Sequence, residues 1–163
     1  MPAQYKPVKN NQGVYIFTSD AGFEYTYYFV ACQLVDKDGN NHLAYSFGFD
    51  KSGGFSSNKF AGRFDEKIKR TVISIIKEFF KINGDMALLY FCYPDDEFAR
   101  HRSITFNKWY NEELSDDINH LKKNAKYNGD MFYGGMLILK RNPFYTLLID
   151  AVDVYLAEMI DQK

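Results

Sequence analysis

The segment over residues 94–110 holds the side chains best suited to chemistry, because acids, arginines and a histidine follow one another within a few turns of an expected helix. The candidate binding residues are Asp95, Asp96, Arg100, His101, Arg102 and Trp109. Helical spacing places Arg102 on one face with Phe106 and Trp109, where its guanidinium needs an acceptor. Guanidinium forks bind phosphate and carboxylate groups bidentately, which predicts an anionic small-ligand site. The alternative is that the two acids cap the helix and that Arg102 pairs within the domain.

Four further acids allow a second chemistry, metal-dependent phosphodiester hydrolysis. The opening order of elements, three strands and then a helix, a strand and a helix, resembles ribonuclease H-like folds. Acids at comparable places in such enzymes hold two Mg²⁺ ions. The candidates here are Asp20, Glu66, Asp95 and Asp150. Asp20 follows its strand instead of lying within it, and Glu66 lies in a first helical turn, where interaction with the helix dipole is a sufficient role.

Other metal or cofactor sites are not predicted. The three histidines, His42, His101 and His120, are widely spaced, and Cys32 and Cys92 form no metal-binding pair. Phosphate-binding glycine motifs and the nucleophile elbow are missing from the sequence. An enzyme is therefore the less favoured expectation.

The elements that must position these residues follow from hydrophobic periodicity. Strands are predicted over 14–18, 24–35, 42–50, 86–92, the second half of 118–127, and 131–140, and helices over 65–82, 96–113 and from Asn142 onward. The first part of 118–127 also fits a helix, and Gly134-Gly135 predicts a bulge or a close contact. The order β-β-β-α-β-α-β-β-α predicts one α+β domain with a mixed, mainly antiparallel sheet packed by helices. Residues 1–12 are expected to be a flexible arm before a single domain over 13–163.

Composition narrows the class of protein. The 163 residues carry a net charge of -1, which disfavours a dedicated nucleic-acid binder. The loop over 51–64 mixes basic residues with phenylalanines and leaves contact with single-stranded nucleic acid open. The longest uncharged apolar stretch is too short for a membrane span, and two cysteines in apolar runs suit a reducing compartment. We therefore expect a cytoplasmic protein without a membrane segment.

The aromatic content is high, with 15 phenylalanines and 13 tyrosines. Neighbouring predicted strands carry a group of tyrosines, namely Tyr15, Tyr25, Tyr27, Tyr28 and Tyr45. Most are expected to stabilise the sheet through cross-strand pairs. Any that stay exposed would form a surface suited to a protein partner or to self-association.

Several stretches in this order resemble a family of small proteins of unknown function, mostly from Bacteroidetes. They lie over 44–49, 65–80, 88–92, 99–110 and 137–143. The likeness covers about residues 14–155, and it implies this architecture and a bacterial cytoplasmic setting but no activity. We therefore expect a non-enzymatic binding or interaction module, with the nuclease and the anion binder as alternatives.

Overall fold

The structure is a computed structural model that describes residues 4–52, 66–92, 99–127 and 129–161. The strands are β1 (Val8–Lys9), β2 (Tyr15–Thr18), β3 (Glu24–Val35), β4 (Asn41–Ser52), β5 (Leu88–Cys92), β6 (Ile118–Lys122), β7 (Ala125–Tyr127) and β8 (Asp130–Leu139). The helices are α1 (Glu66–Ile82), α2 (Ala99–Glu113) and α3 (Tyr145–Asp161).

The strands form a mixed sheet in the order β1-β2-β3-β4-β5-β8-β6, with β7 paired to β8. Strands β4 and β5 are parallel, and the other described pairs are antiparallel. The predicted α+β fold and its element order are confirmed. The stretch over 118–127 is strand in both halves, because β6 and β7 each pair with β8.

The long hairpin of β3 and β4 forms where the sequence predicts it. Both Asp38 and Asn40 donate their backbone N–H groups to the Asp36 carboxylate, at 2.8 and 3.0 Å. Gly39 has a φ of 84°, a left-handed conformation that glycine adopts without a Cβ penalty. The turn fixes the register, so that alternate residues of both strands face the same side of the sheet.

Helices cover both faces of the sheet, in two separate cores. The first core joins α1 and α2 to one face, and its fully buried members include Tyr25, Ile68, Ile76, Leu88 and Leu137. The second core joins α3 to the other face, with Leu34, Leu89, Ile138, Leu148 and Val152. Successive β5 residues Leu88 and Leu89 belong to different cores, as expected for a strand covered on both sides.

Ion pairs join α1 to α2. The Lys69 ammonium lies 3.4 Å from a carboxylate oxygen of Glu112 and of Glu113, and Arg70 lies 3.0 Å from Glu113. The Lys69 side chain is almost completely buried, so its charge needs these partners. The pairs therefore fix how the two helices lie on their shared face.

Within residues 4–12, predicted to be part of a flexible arm, Tyr5 packs into the core and Val8–Lys9 form β1. Tyr5 is only 7% exposed, its ring stacks on Phe17 at 5.1 Å between centroids, and its backbone N–H donates to Thr71 Oγ1 at 2.8 Å. Strand β1 adds two residues to the sheet edge. The Tyr5 ring, its hydrogen bonds and the short β1 pairing hold this segment, and such isolated contacts have no periodicity that sequence reading could detect.

The glycine pair in β8 produces a close contact without a bulge. Residues 133–137 pair with β5 in continuous register. A Cβ on Gly135 would lie 2.8 Å from both Tyr90 and His120. The missing side chain therefore lets residues of β5 and β6 meet above β8.

Among the described residues, the helices are too short or too polar to cross a membrane.

Candidate functional site

The structure brings two of the four predicted nuclease acids close together. Asp20 follows β2 and pairs with Lys67, which is adjacent to Glu66 at the start of α1, so the two acids lie near one another. Each faces a cation: Asp20 is 3.6 Å from Lys67, and Glu66 is 3.1 Å from Arg70.

The other two acids are not brought to that pair by any described contact. Asp150 is exposed on α3, which packs on the opposite face of the sheet from α1. Asp95 lies outside the described residues. Within the described part of the chain, no three His, Cys, Asp or Glu residues are grouped to hold a metal ion.

Of the predicted anion-binding residues, Trp109 lies in the core, and the side chains of the others lie outside the described part of the chain. Asp95 and Asp96 lie outside the described residues, and the side chains of Arg100, His101 and Arg102 at the start of α2 are not described either. Most of the loop over 51–64 also lies outside the described residues. Trp109 is 9% exposed and belongs to the core beneath α2. Its indole therefore packs the domain and presents little surface to a ligand.

Sequence reasoning missed a partly buried tyrosine–histidine pair. The Tyr90 hydroxyl and His120 Nε2 are 2.5 Å apart, above Gly135. The rings of Phe106 and Tyr110 lie 5.8 and 5.0 Å from the imidazole, between centroids. Burial, followed by the charge of Lys122, lowers the pKa of His120 to about 4. His120 is therefore a neutral hydrogen-bonding group within the packed domain.

A second candidate site is an open cleft of about 520 Å³ between α1, the first strands and residues 4–7. We call it the aromatic cleft after its ring-bearing lining residues Tyr5, Tyr15, Tyr27, Phe29, Tyr45 and Phe79. Polar groups come from Ser74 and Glu78 of α1 and from Asn83, which directly follows the helix. Its volume lies within the range of about 300–1,000 Å³ typical of small-ligand sites.

Strand alternation supplies one wall of the aromatic cleft. Tyr15 lies opposite Tyr27 in the β2–β3 register, and their rings stack 4.7 Å apart between centroids at 3°. Tyr27 and Phe29 are two residues apart on β3, so they face the same side. Tyr45 of β4 continues the row, and its ring meets Phe29 edge to face at 86°.

Helix α1 and the N-terminal segment supply the other walls. The Phe79 ring stacks on Phe29 at 5.5 Å between centroids and 13°, which seats the second half of α1 on the strands. Tyr5 is fixed through Thr71, and its hydroxyl accepts the backbone N–H of Asp20 at 2.9 Å. The walls are therefore held by core packing and by hydrogen bonds that involve no ligand.

Charged groups of both signs lie at the aromatic cleft. Glu78, exposed on α1, is the one charged side chain among the described residues that line it. Burial, followed by the neighbouring Tyr15, raises the pKa of Tyr27 to about 12, so this phenol stays neutral at physiological pH. Two lysine ammonium groups lie on lining rings, Lys9 at 5.6 Å from the Tyr15 centroid and Lys67 at 4.4 Å from the Tyr5 centroid.

The tyrosine group identified in the sequence thus splits by position. Tyr15, Tyr27 and Tyr45 line the cleft, whereas Tyr25 is fully buried in the core. Tyr28 faces the other side, where its ring fills the space above Gly48. Alternation along β3 separates Tyr28 from Tyr27, but the cleft itself depends on where Tyr5 and α1 pack.

Comparison with known proteins gives a family and no relative with an assigned activity. Neither the curated proteins nor the solved structures include a match. A family model described as "Family of unknown function (DUF6169)" matches residues 64–154, from the start of α1 into α3. The expected resemblance to a family of unknown function is confirmed over this range, which covers more than half of the chain. The chain therefore belongs to the DUF6169 family of unknown function.

Proposed function

We propose that the protein is a non-enzymatic binding module and that the aromatic cleft is its ligand site. The observation that carries this proposal is an open cleft of about 520 Å³ whose aromatic walls are already held in place by the domain core. A site formed before binding avoids the entropy cost of ordering side chains around the ligand.

The chemistry of the lining favours binding over reaction. A phenol with a pKa near 12, such as Tyr27, is a poor acid or base at neutral pH, because proton transfer works best near the operating pH. The partly exposed rings of Tyr15, Phe29 and Tyr45 supply apolar contact area and have few torsions to fix. These residues suit recognition of an apolar or planar group.

The anionic ligand considered from the sequence has no support among the described residues, because the side chains of Arg100 and Arg102, which were predicted to bind it, lie outside them. The nuclease hypothesis also lacks support among the described residues, since Asp20 and Glu66 face cations and Asp150 lies across the sheet.

Exposed apolar side chains near the cleft support the proposal that the group bound there belongs to a partner protein. Ile82, which lines the cleft, is 71% exposed, and Leu43, on the same sheet face as Tyr45, is 39% exposed. Exposed apolar surface beside a pocket is typical of interaction sites. The expected protein partner or self-association stays a prediction, which sedimentation velocity over a concentration series tests.

The cleft is tested by titrating a library of apolar, aromatic and charged fragments into ¹⁵N-labelled protein and mapping the amide shifts. We expect hits to shift residues of α1 and β2–β4 around the cleft. Ser74→Trp places a large ring in the cleft and should abolish those shifts. Lys81→Trp, on the exposed side of the same helix, is the matched control and should retain them. Shifts that map elsewhere, or that persist in the Ser74→Trp variant, would contradict the proposal.

A further inference from the structure

We propose that two copies of this chain associate by exchanging their N-terminal segments, residues 4–9. In the exchanged dimer, the segment of each copy docks on β2 and α1 of the other copy. The inference goes beyond the proposed function, because the exchange requires no ligand in the aromatic cleft. It is carried by three features: the anchored docking of Tyr5, the exposed turn that follows β1, and the register of the β1–β2 pairing.

Tyr5 anchors the N-terminal segment through its backbone, its hydroxyl and its ring. Its backbone N–H donates to Thr71 Oγ1 at 2.8 Å, and its hydroxyl accepts the backbone N–H of Asp20 at 2.9 Å. The ring stacks on Phe17 and lies 4.4 Å from the Lys67 ammonium, measured from its centroid. Tyr5 is the one buried residue of the segment. Strand addition at a sheet edge, combined with a pocket for one side chain, is a common mode by which proteins bind a separate peptide.

The turn between β1 and β2 separates this segment from the body of the domain. Residues 9–13 are all exposed, and Gly13 has a φ of 81°. Asn10 closes the turn, because its Oδ1 accepts the backbone N–H groups of Gln12 and Val14 at 2.8 and 3.0 Å. These bonds lie within the turn itself. Opening the turn therefore leaves the docking contacts of Tyr5 and β1 available to a second copy, as in domain swapping.

The β1–β2 register allows the opened turn to continue as a strand. The cross-strand pair of Val8 and Ile16 is kept when the same pairing forms between two copies. Residues 8–16 then run antiparallel to the same residues of the second copy, with Gln12 opposite its own counterpart on a two-fold axis. Residues 10–14 include no proline, so each has the backbone N–H that a continuous ladder needs. The dimer therefore keeps the docking contacts and adds strand pairing across the opened turns.

Concentration decides between the closed and the exchanged form, because both make the same docking contacts. A short connection gives a tethered segment an effective concentration on the order of 1 mM. We therefore expect the wild type to be mainly closed at micromolar concentrations. A side chain at Gly13 would destabilise the closed turn, because a residue with a Cβ is strained at this φ. The added Cβ would have no atom within 4 Å, so the strain is confined to the turn backbone.

The test is sedimentation velocity of the full chain over a concentration series, for the wild type, Gly13→Val and Gly39→Val. Gly13→Val should form the dimer at a concentration at least about tenfold lower than the wild type does. Gly39→Val is the matched control, since Gly39 also has a positive φ and open space around an added Cβ but lies in the β3–β4 turn. It should behave as the wild type does. Asn10→Ala removes the side-chain acceptor of the hinge turn and should favour the dimer in the same way as Gly13→Val.

Two further measurements locate the interface. Isotope-filtered NMR on a mixture of labelled and unlabelled Gly13→Val should show contacts between the Tyr5 ring of one copy and the Phe17 ring of the other. The double variant Gly13→Val/Tyr5→Ala should be monomeric, because the exchanged segment has lost its anchor. If Gly13→Val does not fold, Asn10→Ala decides the question by the same measurements.

Several results would overturn the inference. Gly13→Val that stays monomeric up to about 1 mM would show that the segment does not dock on a second copy. Dimers that persist in the double variant, or that lack contacts between Tyr5 and Phe17 of different copies, would place the interface elsewhere. Equal dimer formation by Gly39→Val would show a nonspecific effect of strain. The fragment titration of the aromatic cleft is a separate measurement, so failure of the exchange leaves the proposed function standing.

Discussion

The neutral state of His120 predicts a stability that depends on pH in a defined window. In the unfolded chain the imidazole titrates near 6.5, whereas burial, followed by the charge of Lys122, lowers its pKa in the folded domain to about 4. Below pH 6.5 the unfolded chain therefore binds a proton that the folded chain does not. The stabilising contribution is complete above pH 6.5 and is lost as the pH falls toward 4.

The size of this effect follows from the difference in pKa. Between pH 6.5 and 4 the free energy of unfolding should fall by up to about 1.4 kcal/mol per pH unit. The imidazole is only partly buried, so solvent screening reduces the total, and we expect a loss of about 2 kcal/mol between pH 7 and 4.5. Most carboxylates titrate near or below the lower end of this window.

The assay is urea unfolding of the wild type and of His120→Gln at intervals from pH 7 to 4.5. Glutamine keeps a polar group near the Tyr90 hydroxyl but does not titrate. The stability gap between the two proteins should therefore narrow as the pH falls. An NMR titration of the His120 ring should show the low pKa directly, and Lys122→Gln should raise it. A ring that titrates near 6.5, or a gap that stays constant across this range, would refute the reasoning.

Three further substitutions test the packing around the site. Gly135→Ala should destabilise the domain by about 1–3 kcal/mol in urea unfolding, because the added Cβ would lie 2.8 Å from Tyr90 and His120. Gly84→Ala is the control: its Cβ would make ordinary contacts at 3.5 Å and should change the free energy of unfolding by less than about 0.5 kcal/mol. Asp36→Ala should lower the melting temperature by several degrees, because the buried carboxylate accepts two backbone N–H groups; an equal effect of Asp38→Ala would contradict this. Thr71→Val removes the acceptor of the Tyr5 N–H and should cost about 1 kcal/mol, with faster amide exchange over residues 4–9; unchanged exchange there would show that other contacts hold the segment.

Local patterns in the sequence predicted most of the elements, but they did not predict β1 or the strand over 118–122. Helix α1 is amphipathic over its whole length, and β3 and β4 alternate around a turn built from Asp36 and Gly39. The Asn142 carboxamide accepts the backbone N–H of Phe144 at 2.7 Å, as the predicted helix start before α3 requires. These features depend on neighbours within a few residues, so periodicity and turn chemistry report them directly.

Only the tertiary structure decided what the predicted residues do. Trp109 was expected to bind a ligand, yet the way α2 packs buries it, and Asp150 lies across the sheet from Glu66 because α3 covers the opposite face. Tyr90 and His120 are 30 residues apart in sequence and meet because Gly135 leaves room above β8. Likewise, the aromatic cleft exists because Tyr5 docks on α1, 66 residues away at Thr71. Contacts over such separations are set by packing and strand order, which leave no periodic trace in the sequence.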